Sequence, residues 1–211
     1  MTNQPPQIAI LFPTPVFVAK SNSDLTSKEE IEKIIQQGMK KNTSNSTSIN
    51  SYIFNENLKE LKQFCEQQIR IYVKDIINPK KGLDFYITQS WLNVTKPGES
   101  HQNHSHANSI ISGAFYIQTD VGQTITCFNP RGMMNYSYQP TIHFKEKNTV
   151  WNSETFSYEV SSGQLLLFPS WLLHGVHANS QQTKEVISIS FNTFVRGNLG
   201  ERKHLNRLIL Q

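Results

Sequence analysis

Hydrophobic positions along the 211 residues fall into two textures, a helical one ahead of Pro79 and Gly82 and a strand-like one beyond them. Residues 8–18 alternate loosely but contain Pro13 and Pro15, which remove ladder donors, so this stretch predicts an edge strand. Thr26 and Glu29 have capping-box spacing, and Ile31, Ile34 and Ile35 follow as an apolar stripe at three- and four-residue intervals, predicting a first helix. Lys41 to Asn50 is almost wholly polar and has too little apolar surface to fix itself, which predicts a mobile loop. Leu58, Leu61, Phe64, Cys65, Ile69, Tyr72, Val73 and Ile76 then keep helical spacing, predicting a second, longer helix that lies on a sheet.

From Phe85 onward short β-rich runs alternate with turn residues, at 84–95, 109–119, 123–128, 140–144, 155–160, 164–168, 171–177 and 185–195. Two helices followed by about eight strands predict a mainly β sandwich or barrel with its helices packed on one face, because a sheet's second apolar face needs a cover. The expected organisation is one domain over 1–211: an N-terminal strand and helices to 82, a β core over 83–196, and a tail or helix over 197–211. A hydrophobic content of 37% is ample for one such core and thin for two.

The net charge of +4 is mild, and basic residues cluster only in Glu201-Arg202-Lys203-His204-Leu205-Asn206-Arg207, which reads as a solvated helix or tail. No nucleic-acid partner is expected. Apolar runs such as Leu165-Leu166-Leu167-Phe168 fall far short of the roughly 20 residues that cross a bilayer, so no membrane partner is expected either. The start of the chain has no secretory pattern, and the two cysteines, Cys65 and Cys127, read as small core hydrophobes; a cytoplasmic location follows. Asn42-Thr43-Ser44 and Asn45-Ser46-Thr47 match the glycosylation sequon but read as polar loop. There is no nucleophile triad, Gly-rich phosphate loop or paired-cysteine motif.

What remains is histidine. His101, His104 and His106 crowd into six positions, and packing explains this poorly, because every buried ring nitrogen needs its own partner. In a strand His104 and His106 share a face while Ser105 points away, a chelating pair of neutral imidazoles. His174 follows a Pro-marked corner, Phe168-Pro169-Ser170-Trp171, and is the best third ligand for a facial site with open positions. His101 and His177 stand in reserve; His143 and His204 read as surface or core residues.

These residues sit in runs that resemble a known family. Ser90-Trp91-Leu92-Asn93, His104-Ser105-His106-Ala107-Asn108-Ser109, Ser112-Gly113-Ala114-Phe115-Tyr116, the stretch from Gly163 to His174, and Ile187-Ser188-Ile189-Ser190-Phe191-Asn192 are similar to 2-oxoglutarate- and Fe(II)-dependent oxygenases of marine bacteria and tailed bacteriophages. Leu11-Phe12-Pro13-Thr14-Pro15-Val16 resembles the N-terminal signature of that family. The resemblance implies a double-stranded β-helix, also called a jelly roll or cupin-like barrel, with Fe(II) held at its mouth by His104, His106 and His174. It implies 2-oxoglutarate and O2 as co-substrates, with ascorbate as an accessory reductant, and a hydroxylase reaction that releases succinate and CO2.

Two positions depart from the usual pattern. His106 stands where most such enzymes have an acidic ligand, leaving a bound metal one charge more positive. Val186 stands where an arginine would meet the distal carboxylate of 2-oxoglutarate with two hydrogen bonds. Alternation puts Lys184, Val186, Ser188, Ser190 and Asn192 on one face, so Lys184 is the expected substitute cation with Ser188 beside it, and Arg131 competes from the loop Phe128-Asn129-Pro130-Arg131-Gly132. Asn93, Ser112 and Tyr116 are further candidates for hydrogen bonds to the co-substrate. The expected substrate is a peptide side chain, prolyl first, or a small molecule; a homodimer is left open. The alternatives are a three-histidine cupin enzyme that does not use 2-oxoglutarate and a non-catalytic metal- or ligand-binding barrel.

Overall fold

The first helix, α1 (Lys28–Gln36), is started by Ser27, whose Oγ accepts the Glu30 N–H at 3.1 Å while the Glu30 carboxylate accepts the Ser27 N–H at 3.2 Å. This capping box lies one residue beyond the Thr26 and Glu29 pair that the spacing suggested, because the Thr26 N–H is turned back to the Asp24 carboxylate. Ile31 and Ile34 are buried, whereas Ile35 is 38% exposed. Glu30 also accepts the Leu58 N–H at 3.1 Å, which ties the start of α1 to the start of α2 (Lys59–Tyr72). Leu61, Cys65, Ile69 and Tyr72 make the buried stripe of α2, and Phe64 meets Phe115 of the sheet edge-on at 6.1 Å. The helix widens into a π turn, Val73–Ile77, and stops at Asn78, which adopts the left-handed conformation that asparagine tolerates.

These coordinates come from a computed structural model that describes residues 7–130, 149, 151 and 153–211. Among the described residues the strands form two antiparallel sheets. The larger runs β1 (Phe17–Lys20), β9 (Gln164–Pro169), β6 (Ile111–Gln118), β11 (Val186–Leu199), β4 (Leu83–Thr95), β3 (Ser46–Ser48), β2 (Met39–Lys41), with β12 (Leu208–Leu210) added to β11. The smaller runs β5 (His101–His104), β10 (His174–Val176), β7 (Thr124–Phe128), β8 (Thr155–Glu159). This is a jelly roll, mainly β with two helices packed on one face.

Period-two alternation divides the large sheet cleanly. Leu92, Phe115, Leu165, Leu167, Ile189 and Phe191 point to the helices and bury against Ile34, Leu61, Cys65 and Ile69. Ala114, Tyr116, Leu166, Phe168 and Val186 point the other way, onto Ile125 and Cys127 of the small sheet. The tip of the Phe191 ring covers Gly113, its partner in register on the next strand, where any Cβ would collide with it. That second face, between the sheets, holds the candidate site.

Several expectations change. The polar segment 41–50 is not a free loop: Ser46 and Thr47 pair with Val94 and Asn93, and Ser48 Oγ accepts the Leu92 N–H at 3.1 Å while donating to the Asn50 carbonyl at 2.7 Å. Backbone pairing to a central strand fixes it without apolar burial, leaving Asn45, Thr47 and Ser48 buried. The edge strand is β1 alone, at the end of the stretch expected over 8–18, and residues 8–16 carry no strand. The C-terminal stretch forms a short 3-10 turn, Arg202–His204, and β12. The strand expected over 140–144 lies outside the described residues. No helix among the described residues is long and apolar enough to cross a membrane.

Candidate metal centre

Three histidines converge where the small sheet opens. His104 ends β5 and pairs with His174, which begins β10. β5 stops at His104, two residues before His106, whose N–H is donated to the Ser170 carbonyl at 2.9 Å, and the turn follows at residues 107–108, so the two rings still come together as their spacing suggests. The rings of His104 and His174 are 4.4 Å apart, those of His104 and His106 4.9 Å and those of His106 and His174 5.2 Å. One nitrogen from each lies within 4.8 Å of the other two.

Local hydrogen bonds set which nitrogens converge. His104 Nδ1 lies 2.8 Å from the Gln102 carbonyl and His174 Nδ1 2.9 Å from the Leu172 carbonyl. A carbonyl only accepts, so each Nδ1 carries the proton and each Nε2 keeps its lone pair. Burial against Phe168 and its neighbours pushes the His174 imidazolium pKa down to about 3, with the neighbouring histidines adding to this and the Leu172 carbonyl opposing it. Burial likewise lowers His106 to about 4, helped by His104 and His101 and opposed by a hydrogen bond with Asn192. Both rings are therefore neutral at physiological pH, the state a metal requires.

The spacing suits an ion. His106 Nε2 and His174 Nε2 lie 3.4 Å apart. Two nitrogens each about 2.1 Å from a metal, and separated there by about 90–110°, lie roughly 3.0–3.4 Å from each other. The three-imidazole donor set, and the spacing of this pair, fit a divalent transition metal. His101 stacks on His104 at 4.5 Å and also faces the cavity, but it is not one of the three converging rings; burial lowers its pKa to about 4.

Behind the histidines a cavity runs between the sheets, lined by Asn93 and Thr95 of β4, Tyr116 of β6, Ser188 of β11 and, from the turn before β7, Gln123. Among the described residues no Lys, Arg, Asp or Glu lines it. Val186 does line it and is 4% exposed, so the position expected to hold an arginine does face inward and carries only an alkyl group. Lys184, the expected replacement, differs from expectation: it is exposed and outside the lining. The reason is Asp120, whose carboxylate accepts the backbone N–H groups of Thr183 and Lys184, holding both in a turn so that the strand begins only at Val186. Arg131 lies outside the described residues.

The other expected co-substrate contacts divide. Tyr116 is 4% exposed, and burial raises its phenol pKa with no hydrogen bond engaging the hydroxyl among the described residues. Asn93 donates to Ser190 Oγ at 2.9 Å and leaves its Oδ1 buried without a partner, as is the Gln123 Oε1. Ser188 lines the cavity, whereas Ser112, 1% exposed, is bonded to Ser170 and Asn192 outside the lining. Sequence reasoning missed Thr95, Gln123 and Asn192. The alternation of β4 would have put Thr95 beside Asn93; Gln123 sits in a turn, where no periodicity marks it.

Three converging imidazoles in a jelly roll make a cluster that could hold a metal ion. Residues 89–192, from β4 to β11 and including all three histidines, match the family described as "Putative 2OG-Fe(II) oxygenase". No curated protein matches the chain. Its fold is similar to that of SnoK, a non-heme α-ketoglutarate-dependent carbocyclase of nogalamycin biosynthesis, with a TM-score of 0.61 and 11% identity over 92% of this chain and 87% of that one. HygX from Streptomyces hygroscopicus, solved with nickel, 2-oxoglutarate and hygromycin B bound, is similar with a TM-score of 0.54 and 11% identity over 85% and 82%. A prolyl-4-hydroxylase of Pseudomonas putida gives a TM-score of 0.52 and 13% identity over 85% and 92%.

Proposed function

We propose that this protein is an Fe(II)- and 2-oxoglutarate-dependent oxygenase that hydroxylates a peptide side chain or a small molecule. The observation that carries the reading is the convergence of His104, His106 and His174 within 4.8 Å, inside a stretch that matches an oxygenase family. HygX, with 2-oxoglutarate bound, and the prolyl-4-hydroxylase support it as likenesses of fold. A bound Fe(II) would supply O2 activation coupled to oxidation of 2-oxoglutarate to succinate and CO2.

The chain's own part is to hold, orient and exclude. The three imidazoles would hold a metal and leave positions on it open to co-substrates. Tyr116 and Ser188 would offer hydroxyl donors to the distal carboxylate, so its charge would be met by neutral hydrogen bonds. Phe168 and Trp91 flank the histidine rings at 4.6 and 5.9 Å and keep bulk water off that side.

The absence of a cation from the cavity lining among the described residues favours one second reading, a three-histidine oxygenase that does not use 2-oxoglutarate. Succinate release with Fe(II), O2, ascorbate and 2-oxoglutarate separates the two. Succinate formation that requires both iron and 2-oxoglutarate is expected; oxidation of a substrate at the same rate without 2-oxoglutarate would select the second reading.

A further inference from the structure

Beyond Ser188, which lines the cavity, β11 runs on to Gly197, roughly 30 Å further along the strand. There Gly197, Asn198 and Leu199 pair with β12 in a hairpin whose turn is built rather than loose. Arg202–His204 form the 3-10 turn, the Leu205 N–H is donated to the Arg202 carbonyl at 3.1 Å, and Asn206 Oδ1 accepts the Glu201 N–H at 2.8 Å. The Glu201 carboxylate pairs with Lys203 at 2.9 Å and with Lys80, which fastens the hairpin to the segment before β4.

Two costs meet in this turn. Leu205 is 96% exposed, and its φ of 55° lies in the left-handed region, where a leucine is strained and an asparagine or glycine is at ease. A side chain so exposed packs on nothing that would offset either cost, and Leu208 and Ile209 of β12 are 53% and 58% exposed as well. In the same corner stand Lys80, Lys81, Arg196, Arg202, Lys203 and Arg207, all exposed, against two carboxylates, Asp84 and Glu201. Six cations over two acids leave this corner at +4, the net charge of the whole chain, so the remainder is balanced. Arg207 Nη2 lies 3.4 Å from Asn198 Oδ1, and Asn198 is the register partner of Ile209, so basic and apolar groups share one face.

We propose that this hairpin docks the protein on an anionic lipid surface, with Leu205, Leu208 and Ile209 entering the boundary between headgroups and acyl chains and the cations around them meeting lipid phosphates and carboxylates. Crossing a bilayer takes a long apolar helix; resting on one takes a few exposed apolar side chains ringed by lysine and arginine. Charge decides against a second copy of this chain, whose own corner would bring like charges face to face. The aliphatic side chains decide against a nucleic acid, since a phosphate backbone would leave them in water, and Tyr86, the aromatic beside Arg196, is already covered by that guanidinium at 4.0 Å. The inference is independent of the oxygenase reading.

Co-sedimentation of the full chain with lipid vesicles tests it. Wild type is expected to bind phosphatidylcholine vesicles holding about 30% phosphatidylserine roughly tenfold or more tightly than vesicles of phosphatidylcholine alone, and to be released as NaCl is raised to about 0.5 M. Leu205→Asn removes the aliphatic group without changing the charge and suits the left-handed backbone, so it should weaken vesicle binding about tenfold while leaving the melting temperature the same or higher; a leucine with a merely structural role would lower the melting temperature and leave binding alone. Arg202→Glu should weaken binding about as much, through charge. Equal binding to the two kinds of vesicle, or none to either, overturns the proposal. So does a Leu205→Asn or an Arg202→Glu that binds as wild type does. Binding to a single-stranded oligonucleotide that survives Leu205→Asn, with no binding to vesicles, would reassign the corner to nucleic acid.

Discussion

His106 Nε2 and His174 Nε2 face each other at 3.4 Å across rings inclined by only 6°. Two imidazole nitrogens at this distance share either a proton or a cation, and the convergence of His104 on the same pair suits a metal ion. His174→Ala should therefore reduce Mn(II) affinity by about a hundredfold or more, beyond the 10–100-fold typical of removing only a ligand's hydrogen-bond partner. His101→Ala should change it little, since that ring stacks outside the converging set. Calorimetric titration of both variants checks this; equal affinities would remove His174 from the ligand set.

The cation question has a direct test. Lys184 is exposed and held in a turn by Asp120, while the Tyr116 hydroxyl is buried in the cavity with no hydrogen bond among the described residues. Tyr116→Phe should raise the 2-oxoglutarate concentration needed for half-maximal succinate formation roughly tenfold, the size of one hydrogen bond to a charged group, with Mn(II) affinity unchanged. Lys184→Ala should leave that concentration as it is. The reverse pattern would return the anchor to Lys184.

Gly113 supplies a packing test away from the metal. Its missing Cβ makes room for the Phe191 ring, which is fully buried in the helix-facing core. Gly113→Ala forces that ring off its site and should destabilise the fold by about 1–3 kcal/mol, read as a lower urea midpoint. Phe191→Leu in the same background should recover part of the loss.

The Asp120 carboxylate accepts backbone N–H groups from Thr183, Lys184 and Val121, which together hold its pKa well below the usual carboxylate range. A folded-state pKa below the unfolded value means stability present above the unfolded pKa of about 3.9 and lost as pH falls through the folded value. Asp120→Asn should therefore be less stable than wild type at neutral pH, and the gap should narrow as acid protonates Asp120. Thermal melts from pH 7 down to pH 2.5 follow it; a gap that stays constant would mean that the charge plays no part.

Much of the fold was legible along the chain. Ile31 and Ile34, and Leu61, Cys65 and Ile69, marked the two helices by their period, and strands β4, β6, β7, β9 and β11 fell on short β-rich runs bounded by turn residues, runs that in β6 and β9 are apolar on both faces because both are buried. Strands β2, β3 and β5 were illegible for the converse reason. Lys40, Thr47 and His101 lie in strands held by backbone ladders to their neighbours, so their own polarity says nothing about their structure.

The sequence by itself determined which residue types a metal site has to draw on, since His104, His106 and His174 declare their chemistry wherever they lie. Only the tertiary structure decided how they meet: the pairing of His104 with His174 across β5 and β10, and the Gln102 and Leu172 carbonyls that turn two lone pairs inward. It also decided that Lys184 stays outside while Tyr116, Gln123 and Asn93 line the cavity. Strand alternation predicts a face only while the strand lasts, and Asp120 ends it by capturing the N–H groups of Thr183 and Lys184. That capture joins residues over sixty positions apart, and no local pattern in the chain can announce it.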